Sequence, residues 1–192
     1  EAYLWPLLSS GDTRLEVRTE RIVDRVRFDD RGAVTGVLTA DGTHIDADAV
    51  VVAAGAIHSP AILLRSGIEG AGTGLRDHPA AGLFLRLRDS PRTRLDPARR
   101  GLATASLVHG QSVQVLALNH LGPSSPPDAA MLLVALMRPT GPGGTVRLRS
   151  DDPTIAPEVS FELLASPHDR TLLAAGVSRA LAMVHRAPFA EV

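Results

Sequence analysis

Cysteine is absent from the 192-residue sequence. Its absence excludes disulfides, thiolate metal sites and thiol nucleophiles. Excess basic charge is missing as well: 20 Lys and Arg face 21 Asp and Glu, for a formal net charge of −1. No attractive field for nucleic acid or an anionic membrane follows from such a balance. Long apolar runs are also lacking. The longest, 129–137 (AAMLLVALM), falls far short of the roughly 20 residues that a membrane helix needs. The first residues, Glu1-Ala2-Tyr3, differ from the basic start and apolar core of a secretory leader. The seven histidines are scattered, and no pair has metal-ligand spacing with supporting carboxylates. The expectation is a cytoplasmic protein with no membrane span, no nucleic-acid partner and no metal site.

The rest of the chain is organised around 48–67 (DAVVVAAGAIHSPAILLRSG). The unbroken apolar run at 49–52 predicts a buried, parallel strand covered on both faces. Ala53, Ala54 and Gly55 then make a small-residue turn. Ser59 followed by Pro60 reads as a helix cap and a first-turn proline, because proline's missing N–H is not needed there. Ser66-Gly67 ends that helix. Such a strand, turn and helix start is how α/β folds hold a flat or anionic ligand, and it is equally an ordinary tight connection.

Before this stretch, 15–19, 22–28, 34–39 and 43–45 read as strands, with turns at 29–32 and Asp41-Gly42. In 22–28, Ile22, Asp24 and Val26 fall on one face. After it, 70–74 (GAGTG) fails as a dinucleotide fingerprint, since Leu75 occupies the last glycine position, and reads as a flexible loop. No dinucleotide fingerprint occurs elsewhere in the sequence. Strict alternation in 82–88 (GLFLRLR) predicts an antiparallel strand wet on one side. The arginine-rich 89–101 reads as a loop, 102–109 and 112–119 as a hairpin, and 131–137 and 145–149 as strands. Ser166 caps a last helix reaching about Arg186, with Leu172, Leu173, Val177, Leu181 and Val184 as its apolar stripe. The fold class is α+β or α/β: a β-meander with a parallel strand and helix, then an antiparallel sheet with a helix.

The serine-hydrolase residue types are present in His58, Ser59 and Asp77, but no G-x-S-x-G elbow surrounds the serine. Asp77 and His78 are adjacent on an extended segment and point apart, so they do not form a dyad.

Several collinear segments resemble the glucose–methanol–choline (GMC) family of FAD-dependent oxidoreductases. Gly55-Ala56-Ile57-His58-Ser59-Pro60, Ile62-Leu63-Leu64 and Ser66-Gly67-Ile68 resemble its second signature, with Glu69 where glycine is usual. Residues 70–79 resemble its G-x-G-x-N-L-x-D-H-P segment, with Gly74 in place of asparagine and a shortened loop between the two. Residues 17–19 and 22–26 resemble its adenine-side strands, and Arg138-Pro139, 146–150 and Asp152-Pro153 its substrate domain. The wording of 118–123 (LNHLGP) resembles mycofactocin-associated members.

The resemblance implies part of a Rossmann-like FAD-binding domain over 1–78 and part of a substrate domain over 79–192. It implies FAD contacts at Val23, Ala54, Gly55, Asp77 and His78, and substrate contacts at Gln114, Asn119 and His120. The implied reaction oxidises a small-molecule alcohol by hydride transfer to flavin, with an unspecified electron acceptor. The family's catalytic histidine is not matched, and His185 lies in a different context. The chain therefore reads as an internal fragment, inactive alone, whose missing N- and C-terminal parts complete the enzyme. A degenerate non-catalytic binding domain and another class of Rossmann flavoprotein are the alternatives.

Overall fold

Local turn chemistry shapes the first part of the chain. The structure, a computed structural model, describes residues 3–11, 14–88, 105–109, 112–118, 121–122, 124–126 and 128–186. A short helix, Leu4–Ser9 (α1), is followed by Val23–Phe28 (β1), Val34–Thr39 (β2) and His44–Asp46 (β3), an antiparallel meander in the order β1-β2-β3. Asp29 closes the first hairpin by accepting the N–H groups of Arg31 at 2.9 Å and Ala33 at 2.8 Å. Asp41 closes the second by accepting from the Thr39 hydroxyl at 2.6 Å and the Thr43 N–H at 3.0 Å. The Thr39 hydroxyl, followed by donors from Thr43, holds the Asp41 carboxyl well below the usual carboxylate range. Alternation turns Asp24 and Val26 inward, each 6% exposed. The strand expected at 15–19 joins no ladder among the described residues, because Val17 finds no apolar face to cover it and stays exposed.

Gly55–Arg65 forms the second helix (α2). It starts five residues before the expected first position, Pro60, which lies inside it. Ser59 is therefore not the cap residue: Ala54 holds that position without a side-chain cap bond, and Ser59 Oγ, from within the helix, accepts the Ala54 N–H at 2.9 Å. At the other end, Gly67 takes φ +80, its N–H bonds to the Leu64 carbonyl, and the Ile68 N–H bonds to the Leu63 carbonyl. That pair of bonds is a Schellman stop, satisfied by a glycine because the left-handed region is free of Cβ strain only there. The expected strand at 49–52 joins no ladder among the described residues, and Val51 is 90% exposed. Four apolar side chains give a segment the character of a buried strand, but a ladder also needs neighbouring strands, and the described residues supply none.

The sheet of the later half is built as its alternation predicts. Ala80–Arg86 (β5), Ala105–His109 (β6), Val113–Leu118 (β7) and Ala129–Leu136 (β8) form a four-stranded antiparallel sheet of order β5-β8-β7-β6. Along β5, Leu83 and Leu85 are half-buried while Phe84 is exposed. A small sheet of order β10-β9-β4 is made of Thr73–Leu75 (β4), Gly144–Arg147 (β9) and Glu158–Ser160 (β10). The expected flexible loop at 70–74 is instead held closely: a Cβ at Gly72 would lie 2.3 Å from the Val146 carbonyl oxygen.

Pro167–Val184 (α3) lies on the four-stranded sheet, capped by Ser166, whose side chain accepts the Asp169 N–H. Its buried stripe is Asp169, Leu173, Gly176 and Ala180, whereas Leu181 is 46% exposed. Leu172, Val177 and Val184 of the expected stripe pack against the core. Gly176 joins it through closeness, since a Cβ there would sit 2.7 Å from Val113 Cγ1. Leu132, Val134, Leu136, Val113 and Leu173 form the core beneath it. The chain divides into two compact units, 1–72 with 146–159, and 73–145 with 160–192. Among the described residues no helix is long and apolar enough to cross a membrane.

Candidate functional site

The sequence-predicted residues divide between the two units. Val23, Ala54 and Gly55 belong to the first, and Asp77, His78 and Gln114 to the second. Asn119 and His120 lie outside the described residues.

In the first unit, the C-terminal half of α2 is the anchor and its first turn is open. Ala61 and Ile62 are buried at 0% and 9% exposure. Ser66 Oγ donates to the Ile62 carbonyl at 2.6 Å and accepts the Val26 N–H at 2.9 Å, tying α2 to β1. Arg65 Nε donates to the Asp24 carbonyl at 3.0 Å and lies 2.9 Å from Asp24 Oδ1. Arg25 Nε takes the other Asp24 oxygen at 2.7 Å. Because the single Nε–H of Arg65 points at the carbonyl, Asp24 Oδ1 is paired by charge and makes no hydrogen bond.

This clamp fixes the helix while Ala54, Gly55, Ala56 and His58 remain exposed. Gly55 has φ +79 and open space where a Cβ would be, so the left-handed conformation requires glycine rather than crowding. Val23 is half-buried in β1, opposite Thr39. Asp24 and Arg65 were not singled out as functional from the sequence. The available signal was a charged residue on each buried stripe: Asp24 alternating with Val26, and Arg65 following Ala61 and Ile62 at helical spacing.

In the second unit, Asp77 and His78 are exposed, and Asp77 Oδ1 accepts the His78 N–H at 2.7 Å. That contact spends the Asp77 oxygen on the backbone, in keeping with the expectation of no side-chain dyad. Arg76, Asp77 and His78 line a shallow cleft with Met137, Arg138 and Pro139. Gln114 is half-buried on β7, opposite Ala135 of β8.

Beside this segment lies a carboxylate that the sequence does not single out. Asp169 is 1% exposed. It accepts from the Thr140 hydroxyl at 2.7 Å, the Thr140 N–H at 2.9 Å and the Gly141 N–H at 3.1 Å. Burial pushes the carboxyl up, but the donors from Thr140 and Gly141 outweigh it and hold the group below its ordinary value. A depressed carboxyl stabilises the folded state above its unfolded pKa and loses that contribution as pH falls through its folded pKa. Acid titration of stability is therefore expected to show a falling limb below about pH 4, flattened in Asp169→Asn. Urea midpoints measured across that range check it. Identical acid limbs in the two proteins would contradict the assignment.

The chain is similar to known proteins. The family model described as GMC oxidoreductase matches residues 1–80. A 5-(hydroxymethyl)furfural oxidase of Methylovorus sp. (strain MP688) is 29% identical, covering 76% of this chain and 32% of that protein. A GMC-type oxidoreductase of Rhodococcus erythropolis is 30% identical, covering 88% of this chain and 37% of that protein. The chain is similar to the GMC oxidoreductase family. It spans about a third of the length of these curated relatives.

The fold of this chain is shared with solved structures. Pyridoxine 4-oxidase from Mesorbium loti superposes with a TM-score of 0.77 at 21% identity, over 94% of this chain and 41% of that one. A variant of Aspergillus oryzae RIB40 formate oxidase, studied for FAD modification, gives 0.73 at 18% identity, over 96% and 46%. FAD is the cofactor of the family, and the formate oxidase carries it.

The residues present fit part of such a cofactor. The exposed alanine and glycine backbone at 54–55 leaves room for a flat ligand, with no side chain in the way. The departures from the family pattern also leave the backbone intact. Gly74 has φ +72, a conformation that asparagine tolerates better than most residues, and Glu69 stays outside the positive-φ region.

Proposed function

We propose that the protein containing this chain is a cytoplasmic FAD-dependent oxidoreductase that converts the CH–OH group of a small-molecule alcohol into a carbonyl. FAD supplies the hydride acceptor, and the hydroxyl proton leaves to a base. Residues 1–78 contribute to the cofactor domain and 79–192 to the substrate domain. Ala54 and Gly55 let the cofactor approach the backbone at the start of α2, with Val23 on the adenine side. Asp77 and His78 face the flavin side, and Gln114, Asn119 and His120 face the substrate.

The observation that carries this reading is the open, small-residue entry to α2, clamped from below by Arg65 and Ser66. The conformationally tolerated Gly74 and Glu69 favour a working member over a degenerate one. The 192-residue chain alone, which has no dinucleotide fingerprint, is expected to retain little flavin and to turn nothing over.

The test uses the full-length protein. It should purify with visible flavin absorbance that bleaches anaerobically with an alcohol. Ala54→Leu adds bulk at an exposed position without backbone strain. It should lower flavin content about tenfold or more while changing the apoprotein's unfolding free energy by less than about 0.5 kcal/mol. Full flavin occupancy in Ala54→Leu would remove residue 54 from the cofactor site. A wild-type protein without flavin would end the oxidoreductase reading.

A further inference from the structure

We propose that Asp169 is a positioning residue for Asp77 and His78, holding them through Thr140, Gly141 and Arg76. The proposal rests on the reading of Asp77-His78 as the flavin-side segment, and goes beyond it by naming what sets that segment in place.

An acidic residue in the first turn of a helix ordinarily stays at the surface, or reaches back to the cap residue's own N–H. Asp169 does neither. It is buried, and its carboxylate turns away from α3 toward the connection between β8 and β9. Burying a carboxylate is costly unless donors replace its water. Here they all come from the two successive residues Thr140 and Gly141, with both Oδ atoms engaged by the Thr140 N–H at 3.0 and 2.9 Å. Charge-assisted bonds of this kind are stronger and more directional than neutral ones. They fix the connection itself and leave it little freedom to shift.

That connection in turn grips the candidate segment at two points. The Gly141 carbonyl accepts from Arg76 Nη2 at 3.2 Å. Gly143, at φ +83, brings its backbone so close that a Cβ there would lie 2.8 Å from the Gly74 carbonyl carbon and 3.0 Å from the Leu75 oxygen. Residues 74–76 are thus clamped by 141–143, and Asp77-His78 follow directly. Leu75, Arg76, Asp77, Gly141, Gly143 and Asp169 line one small cavity, so the links share a single packed neighbourhood. Gly141 is the relay: its N–H is held by Asp169 and its carbonyl holds Arg76.

The experiment compares wild type, Asp169→Asn, Arg76→Met, Arg76→Lys and the double variant in the full-length protein. Asn at 169 keeps the volume but turns an amide donor toward N–H donors. Met at 76 removes the far link from an exposed position, and Lys there restores a donor. Hydrogen exchange in the peptide 74–80 should quicken about tenfold in Asp169→Asn and in Arg76→Met, and return to within about threefold of wild type in Arg76→Lys. The double variant should be no faster than the worse single one, as expected when two residues act along one path.

In the flavin-loaded protein, the first two variants should also shift the visible circular dichroism of the flavin. They should lower kcat about tenfold while KM stays within about twofold. Wild-type exchange at 74–80 in Asp169→Asn, with only a lowered unfolding temperature, would make Asp169 a purely structural anchor and overturn the proposal. Wild-type exchange in Arg76→Met would overturn it too, and decides alone should Asp169→Asn fail to fold. If wild type carries no flavin, the functional reading falls, and exchange still decides whether Asp169 positions the segment.

Discussion

Gly144→Ala is expected to cost the second unit about 3 kcal/mol. A Cβ built on Gly144 lies 1.8 Å from the Ser160 carbonyl oxygen and 2.8 Å from its carbon. Ordinary carbon–oxygen contact begins more than an ångström farther out, so the strands must separate. The obstacle is backbone on both sides, and no flexible side-chain end can swing clear. Gly144 is also buried, which removes the option of bending outward into water. Urea denaturation of wild type and variant measures the difference. A loss below about 0.5 kcal/mol would mean that β9 and β10 slide apart easily, and the tight approach would have to be abandoned.

Leu136→Ala should follow closely, at about 3 kcal/mol. Leu136 is fully buried at the end of β8, opposite Val113 and among Leu132, Val134 and Leu173. Its N–H donates to the Pro79 carbonyl at 2.9 Å, a bond that alanine keeps, so the loss is one of packing. Truncation removes the transfer energy of the missing carbons and leaves a cavity that the rigid sheet closes only in part. Leu181→Ala on α3 is the control. At 46% exposure it should lose less than about 0.5 kcal/mol, although its spacing along the helix resembles that of a core residue. Equal losses at the two positions would show that the core is not where the structure puts it.

That contrast marks what the amino-acid sequence discloses. The β1–β3 meander, the alternation along β5 and the Ser166 cap were legible, because each depends on side chains a few residues apart. The α3 stripe was legible except at Leu181: Leu173 is buried and Leu172, Val177 and Val184 pack against the core, while Gly176 and Ala180 join it because they let the helix approach the sheet. The start of α2 was misplaced for a similar reason. A serine before a proline is the common sign of a first turn, whereas Ser59 here reaches back from within the helix to Ala54. Ala54, Gly55, Asp77 and His78 were legible as a candidate site through the family resemblance. Asp169 and Thr140 were not, since 29 residues separate them and nothing in either neighbourhood announces the other.

The division of the chain also bears on how it is made. The first unit consists of 1–72 and 146–159, and its Gly72 carbonyl accepts the Val146 N–H at 2.7 Å. A ribosome extends a chain at ~5–20 residues per second, so Gly72 waits roughly 4 to 15 s for that partner. Throughout the wait, all of the chain from 73 to 145 is being synthesised. The nascent first unit therefore stays incomplete until residue 159 has emerged.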